Sequence, residues 1–241
     1  MIAREGIPFT LVGVVLTVVV FLLAARWSNW WLFGVSAALA LLTLFATYFF
    51  RDPDRAIPPG NESLIVAPAD GKVIGIDTVS DVSYVGERAI KVSIFLSVLD
   101  VHVNRVPISG RVEKFEYKKG EFHAAFMDKA SGLNEQTVIR IRSRLGAGVI
   151  VKQIAGVLAR RIVCRLEEGQ QVAAGERFGL IRFGSRTELF LPVDTRLSVE
   201  MGDHVAGGSS VIGYLADRSS SAGEDAEQKE VSAARGDDVK L

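Results

Sequence analysis

Two uncharged apolar runs, Ile7 to Ala25 and Trp30 to Phe50, stand four residues apart in this chain. At ~1.5 Å per residue they reach about 28 to 32 Å as helices, enough for each to cross the core of a bilayer. Between them lie only Arg26, Trp27, Ser28 and Asn29. All three tryptophans, Trp27, Trp30 and Trp31, fall at this junction, where amphipathic indoles favour the membrane interface. The pattern predicts an N-terminal transmembrane helical hairpin over residues 1–50, and hydropathy alone leaves open whether it spans or only embeds. Arg4 precedes the first run and Arg51 and Arg55 follow the second, against Arg26 alone in the connection. The positive-inside bias therefore places both ends at the cytoplasmic face of the cell (inner) membrane. A secretory signal would have a shorter apolar stretch, about 7 to 15 residues, with no second span behind it.

Only Arg4, Glu5 and Arg26 are charged among the first 50 residues, whereas 53 charges lie in the following 191. The chain beyond the hairpin is thus a water-soluble protein, long enough for a real core. The 28 basic and 28 acidic residues of the chain cancel, so there is no global basic field and no nucleic-acid partner is expected. One cysteine, Cys164, and three histidines exclude a disulfide framework and a structural zinc cluster, and no metal site is expected. A free thiol suits a reducing compartment.

Residues Arg51 to Gly60 (RDPDRAIPPG) read as a linker. Beyond it, β-branched runs separated by glycine predict strands over Lys72–Ile76, Ala89–Val98, Gly110–Tyr117, Gln136–Ser143, Val149–Ile154, Arg161–Leu166, Phe178–Phe183 and Thr187–Leu191. The fold class expected for residues 51–216 is mainly β, an antiparallel sandwich or barrel-like domain. The one helical candidate there is short, near Val157–Arg161. A G-x-x-V-x-x-G unit recurs 33 residues apart, at Gly169 and Gly202. It is similar to half-motifs of biotinyl and lipoyl carrier domains, but neither copy has the lysine a carrier needs, so the glycines read as turn geometry. Residues 217–241 have no aromatic side chain and frequent charge, the composition of a disordered tail.

Three segments concentrate reactive groups. In APADGKV, Asp70 sits in a Pro/Asp/Gly turn that opens a strand. In FLSVLDVHVNRVP, an extended chain would put Asp100, His102 and Asn104 on one face, giving the histidine polar neighbours able to fix its tautomer. In RFGLIRFGSRTELFLP, glycine precedes serine at Gly184-Ser185. Without a Cβ at Gly184 the Ser185 hydroxyl can approach the preceding carbonyl, as an N-to-O acyl shift requires.

Taken in order, these three segments, with GEFHAAFMDKASGLNEQ and IAGVLARRIVCRLEEGQQV between them, resemble the short bacterial form of phosphatidylserine decarboxylase, a pyruvoyl-dependent enzyme family. The resemblance runs from about Arg51 to about Pro192. It implies a proenzyme cut by its own Ser185 at Gly184-Ser185, leaving a β chain of residues 1–184 and an α chain of residues 185–241 headed by a pyruvoyl group. The expected reaction converts phosphatidylserine to phosphatidylethanolamine and carbon dioxide through a Schiff base with that group, with no external cofactor. By the same resemblance His102 is the candidate proton donor, and Asp70 with His102 the candidates for assisting Ser185. Longer members carry a second histidine where this chain has Arg105, which leaves the processing base open, and Arg186 stands where they have threonine. The expected partners are the lipid and the two cleaved fragments as a heterodimer, with a higher homo-oligomer left open. His123 is a secondary candidate for lining the pocket; Asn134 and Glu135 match a polar segment of the family with no role assignable from sequence; Arg160, Arg161 and Arg165 could contact lipid phosphate but read first as a solvated basic strand face; and His204 reads as an exposed turn residue. A membrane-anchored carrier-like adaptor without catalysis is the alternative, and a related serine-headed lipid the third reading.

Overall fold

The computed structural model describes residues 1–82, 84–121, 123, 130–156, 162–181 and 185–216. The expected short helix near 157–161, Arg160, Arg161, Gly184 and the tail 217–241 lie outside the described residues.

The two apolar runs form helices α1 (Ile7–Trp27) and α2 (Trp30–Phe49), packed as a hairpin. The turn takes two residues: Ser28 adopts the left-handed conformation (φ 46°), and the Asn29 side chain accepts the Trp31 N–H at 3.0 Å. Small and hydroxyl residues make the helix contact. A Cβ on Gly13 would fall 2.4 Å from Thr43 Oγ1, and Ser36 Oγ donates to the Thr17 carbonyl at 3.1 Å. The most apolar windows of the two helices are only 6% and 11% buried. Protein does not cover their outward surfaces, and a pair this long and apolar associates with membrane.

The remaining chain is an antiparallel half-barrel. Its strands are β1 (Leu64–Val66), β2 (Gly71–Val82), β3 (Gly86–Leu96), β4 (Val103–Arg105), β5 (Gly110–Lys118), β6 (Gln136–Ser143) and β7 (Gly148–Ile154). They continue as β8 (Ile162–Cys164), β9 (Gln171–Val172), β10 (Arg177–Ile181), β11 (Ser185–Pro192), β12 (Arg196–Leu197), β13 (His204–Val205) and β14 (Val211–Tyr214), with a one-turn helix α3 (Ala130–Leu133) before β6. Eight strands form one sheet in the order β13-β2-β3-β11-β7-β6-β5-β9; two three-stranded sheets, β4-β10-β8 and β1-β14-β12, complete the domain.

Period-two alternation sorts the large sheet into faces. Leu189 and Leu191 on β11 join Val92, Ile94, Ile139, Ile141, Val149 and Val151 in the main core. Phe190 turns to the other face, with Ala89, Val138 and Ile150. The glycine repeat is real geometry: Gly169 and Gly202 have φ of 87° and 103°, and Gly175 and Gly208 both have φ of 79°. The two units meet where the Arg105 side chain packs against Gly208.

The linker is irregular yet tightly held. Asp52 pairs with Arg105 (3.2 Å) and Arg177 (2.7 Å), and Arg177 also reaches Asp54 at 2.9 Å. Ala3 N–H donates to the Phe50 carbonyl at 2.8 Å, and Arg165 pairs with Glu5 at 2.6 Å. The foot of the hairpin is thus joined to the β domain on several sides.

Gly71 opens β2 with φ of 150°, and a Cβ there would fall 2.2 Å from the Phe95 carbonyl oxygen. Gly71→Ala is expected to destabilise the domain by about 1–3 kcal/mol or more through strain and displacement of β3. Thermal unfolding of the purified chain, compared with a Gly34→Ala control where an added Cβ meets nothing within 4 Å and φ is not positive, measures it.

Candidate active site

β3 ends at Leu96, and β2 and β11 flank it on either side. In the ladder Lys72 is opposite Phe95, Phe95 is opposite Arg186, and Ser185 is opposite Leu96. The Asp70 turn and Ser185 therefore lie at the same end of the sheet, about 10 Å apart at ~4.8 Å per strand. On the neighbouring small sheet, the Ile181 N–H donates to the His102 carbonyl at 3.3 Å. Four residues later the chain enters the large sheet as Ser185, a step of at most about 14 Å. Asp70, His102 and Ser185, far apart in sequence, are gathered at one end of the domain.

Ser185 is fully buried, and its Oγ has no hydrogen-bond partner. His102 is also fully buried. Its Nδ1 lies 2.9 Å from the Asp100 carbonyl oxygen. A carbonyl only accepts, so Nδ1 carries the proton, and Nε2 presents a lone pair with no partner. The Phe49 ring, at the last residue of α2, packs on the imidazole with centroids 4.3 Å apart. Burial lowers the His102 pKa to about 4, against the opposing pull of the Asp100 carbonyl and carboxylate, with a small further push from Arg51. His102 is therefore neutral at physiological pH, and Nε2 is poised to accept a proton.

Asp70 does not touch His102. Its Oδ2 pairs with Arg55 at 2.7 Å and its Oδ1 accepts the Gly207 N–H at 2.7 Å. Burial raises its pKa, opposed by the Gly207 N–H and Arg55. The group that orients His102 is the Asp100 backbone carbonyl, where the extended-strand reading had the Asp100 and Asn104 side chains fix the tautomer. The expected shared face of Asp100, His102 and Asn104 is also broken. The Asp100 side chain closes a turn by accepting the Ser97 N–H at 2.7 Å, and the strand begins only at Val103.

A polar layer extends the core at this end. Thr137 Oγ1 donates to Gln153 Oε1 (2.7 Å), and Gln153 Nε2 donates to Asn104 Oδ1 (2.7 Å). The Asn104 Nδ2 is left buried without an acceptor, and the hydroxyl of Thr187, cross-strand from Gln153, is also unpartnered. Thr137, Gln153 and Thr187 occupy the core-facing positions of β6, β7 and β11, continuing the rows of Ile139, Val151 and Leu189. The signal for them was a polar residue at an apolar period-two position. Phe49 carried no such signal, since it reads as one more membrane residue.

On the opposite face of β11, Arg186 and Glu188 form a buried pair at 2.8 Å, and Arg186 also donates to Ser93 Oγ at 2.9 Å. This pair anchors the strand that starts at Ser185. Arg105 is clamped by Asp52 and the carbonyls of Pro53 and Gly175, which makes it a structural tie. Asn134 holds the His123 backbone and the Ala155 carbonyl, and Glu135 exchanges backbone hydrogen bonds with Glu121 and Ala155. His123 is exposed and paired with Glu121, Arg165 is paired with Glu5, and His204 is exposed on β13. Among the described residues no His/Cys/Asp/Glu cluster could hold a metal ion.

A buried hydroxyl without a partner, at the same end of the domain as an unpartnered imidazole nitrogen, is an arrangement for nucleophilic chemistry. The family model for phosphatidylserine decarboxylase matches residues 42–213. The chain belongs to the phosphatidylserine decarboxylase family. The phosphatidylserine decarboxylase proenzyme of Wolbachia sp. subsp. Brugia malayi is 47% identical over 218 residues, covering 89% of this chain and 91% of the relative. Those of Syntrophus aciditrophicus and Symbiobacterium thermophilum are each 46% identical, covering 88% and 89% of this chain and 96% and 95% of the relatives. Membership removes the carrier-like adaptor reading. Membership implies a pyruvoyl group derived from a serine; a buried ketone needs donors, and at this end of the domain the Asn104 amide nitrogen and the Thr187 hydroxyl are not committed elsewhere.

Phe49→Ala removes one wall of the His102 pocket and lets water approach. The His102 pKa is expected to rise from about 4 toward the unperturbed 6.5. Imidazole NMR titration of a Ser185→Ala chain, which has only three histidines to assign, reads the shift directly.

Proposed function

We propose that this chain is a self-processing, pyruvoyl-dependent phosphatidylserine decarboxylase that releases phosphatidylethanolamine and carbon dioxide at the membrane. The observation that carries the residue assignment is the pair of buried, unpartnered atoms at one end of the domain, Ser185 Oγ and His102 Nε2.

In self-cleavage His102 Nε2 takes the hydroxyl proton as Ser185 Oγ attacks the Gly184 carbonyl carbon. The C–O bond forms, the C–N bond breaks, and the amino group of residue 185 takes up a proton. Loss of the Ser185 Cα proton then breaks the Cβ–O bond, leaving a carboxylate on Gly184 and dehydroalanine at position 185. Water replaces the nitrogen as ammonia, and the α fragment of residues 185–241 begins with a ketone. His102 serves first as a base; once charged, the same nitrogen can return a proton, the donor role that the family resemblance implies for turnover.

When present, the pyruvoyl group supplies an electron sink for the pair left on Cα as the carboxylate departs. The protein's own part is to place and dry the site. Phe49 excludes water from His102, the Asp100 carbonyl fixes its tautomer, and Asn104, steered by Gln153 and Thr137, offers a donor. Asp70 ties Arg55 of the linker to the Gly207 turn, holding the membrane-proximal wall. Arg4, Arg51 and Arg55 at one end of the hairpin, against Arg26 at the other, support a cytoplasmic catalytic domain. The working unit is the pair of cleaved fragments, with 1–50 as hairpin, 51–216 as the catalytic domain and 217–241 as a tail.

Intact-mass measurement of expressed protein is expected to find two fragments divided at Gly184-Ser185, the smaller one blocked and reactive with hydrazine. Ser185→Ala should remain one chain of 241 residues with no decarboxylation; carbon dioxide release from that variant would overturn the assignment.

Cleavage should also keep its rate from neutral pH to about pH 5 and decline as His102 gains its proton near pH 4. Stability follows the same group. The unfolded imidazole binds a proton near 6.5 and the folded one only near 4, so stability falls as pH drops through that window. Cleavage time courses and denaturant melts across pH 4 to 7 check both.

A further inference from the structure

We propose that the turn Ser97–Asp100, with Val98 and Leu99 at its tip, is a lipid-contacting element that enters the same bilayer as the hairpin and sets the mouth of the His102–Ser185 site against the head groups. The turn is held by its own hydrogen bonds. Asp100 N–H donates to the Ser97 carbonyl at 3.0 Å, and the Asp100 carboxylate accepts the Ser97 N–H at 2.7 Å. This closes the base of the turn and leaves Leu99 facing outward. Val98 packs partly on Phe49, Phe50 and their neighbours, while Leu99 is 62% exposed.

The depth of the turn is set by α2. Arg51 Nη2 donates to the Leu99 carbonyl at 2.6 Å, and its Nη1 donates to the Tyr48 carbonyl at 3.0 Å. The guanidinium lies 4.0 Å over the Tyr48 ring, and Tyr48 Oη reaches the Leu99 carbonyl at 3.5 Å. Leu99 is therefore held level with the last turn of a 20-residue apolar helix. A helix of that length ends at the interface, where tyrosine and arginine settle with ring and stem in the apolar layer and polar ends in water. At that level the medium beside the protein is lipid, and a leucine facing it gains what a leucine facing water loses. Val193, also exposed, lies beyond the opposite end of β11 and has no such tie.

The occupant is the bilayer, by continuity with the hairpin surface. His102 follows Leu99 by three residues and carries the Phe49 ring on its imidazole, so a head group would meet the site without its acyl chains leaving the membrane. This consequence rests on the decarboxylase reading; the lipid contact does not.

The test uses the full chain in phosphatidylserine/phosphatidylcholine vesicles, with Cys164→Ser as background. A polarity-sensitive fluorophore on Leu99→Cys is expected to shift to the blue and be quenched by lipids bearing a nitroxide near the head group, whereas the same label on Val193→Cys does neither. A Leu99 label that behaves like the Val193 label overturns the proposal. Separately, Leu99→Ser should raise the apparent KM for vesicle phosphatidylserine about tenfold while leaving chain cleavage, kcat and turnover of a short-chain monomeric phosphatidylserine unchanged. An equal loss on both substrates overturns it. A quenched Leu99 label on a chain that neither cleaves nor releases carbon dioxide would uphold the lipid contact and refute the decarboxylase reading.

Discussion

The Phe49 ring against the His102 imidazole joins the two halves of this protein. Phe49 belongs to an apolar helix and His102 to the entry of a strand in the β domain, and neither is exposed. Because the contact removes water from the imidazole, histidine is held neutral. Because Nδ1 is spent on the Asp100 carbonyl, the free lone pair is left on Nε2. The same helix end places Arg51 over Tyr48 and onto Leu99, so the His102 surroundings and the Leu99 turn are both tied to a few adjacent residues at the foot of the hairpin. The hairpin consequently supplies a wall to the candidate site through Phe49.

The second constraint is the end of the large sheet. Core-facing rows that are aliphatic along most of their length turn polar at Thr137, Gln153, Ser185 and Thr187. Burying such groups costs free energy unless each is paired, and several are not. On the reverse face, the Arg186–Glu188 pair fixes the first residues of the strand. The pair is buried, and Ser93 and the nearby Lys152 add to it, so it ties the first residues of β11 to β3 and β7.

Much of the fold was legible residue by residue. Hydropathy marked both helices to within two residues, because an uncharged run of that length has few alternatives. Alternation found the long strands, with Gln136–Ser143 matching at both ends, and the positive φ of Gly169, Gly175, Gly202 and Gly208 was readable from their repeat. The ends of β2 and β8 were not, since they are set by which neighbour supplies hydrogen bonds. Of the candidate site, Asp70, His102 and Ser185 were proposed from local pattern and family resemblance, and the fold brings them to one end of the domain. Their relations were not legible: Asp70 spends its carboxylate on Arg55 and Gly207, and Arg105 is spent on the linker.

The sequence by itself determined that this chain has an apolar helix pair and a β-rich domain, that it carries a Gly-Ser junction between apolar strands, and that a single cysteine leaves it without an internal disulfide. Those properties follow from composition and short-range periodicity, which act along the chain. Only the tertiary structure decided which atom holds the His102 proton, that Phe49 closes over it, and that Leu99 sits at the depth of Tyr48. The Phe49 and Leu99 placements depend on contacts between residues roughly 50 apart, and the proton position on a turn geometry that folds the Asp100 carbonyl back onto Nδ1 two residues away; no hydropathy or period-two pattern encodes either.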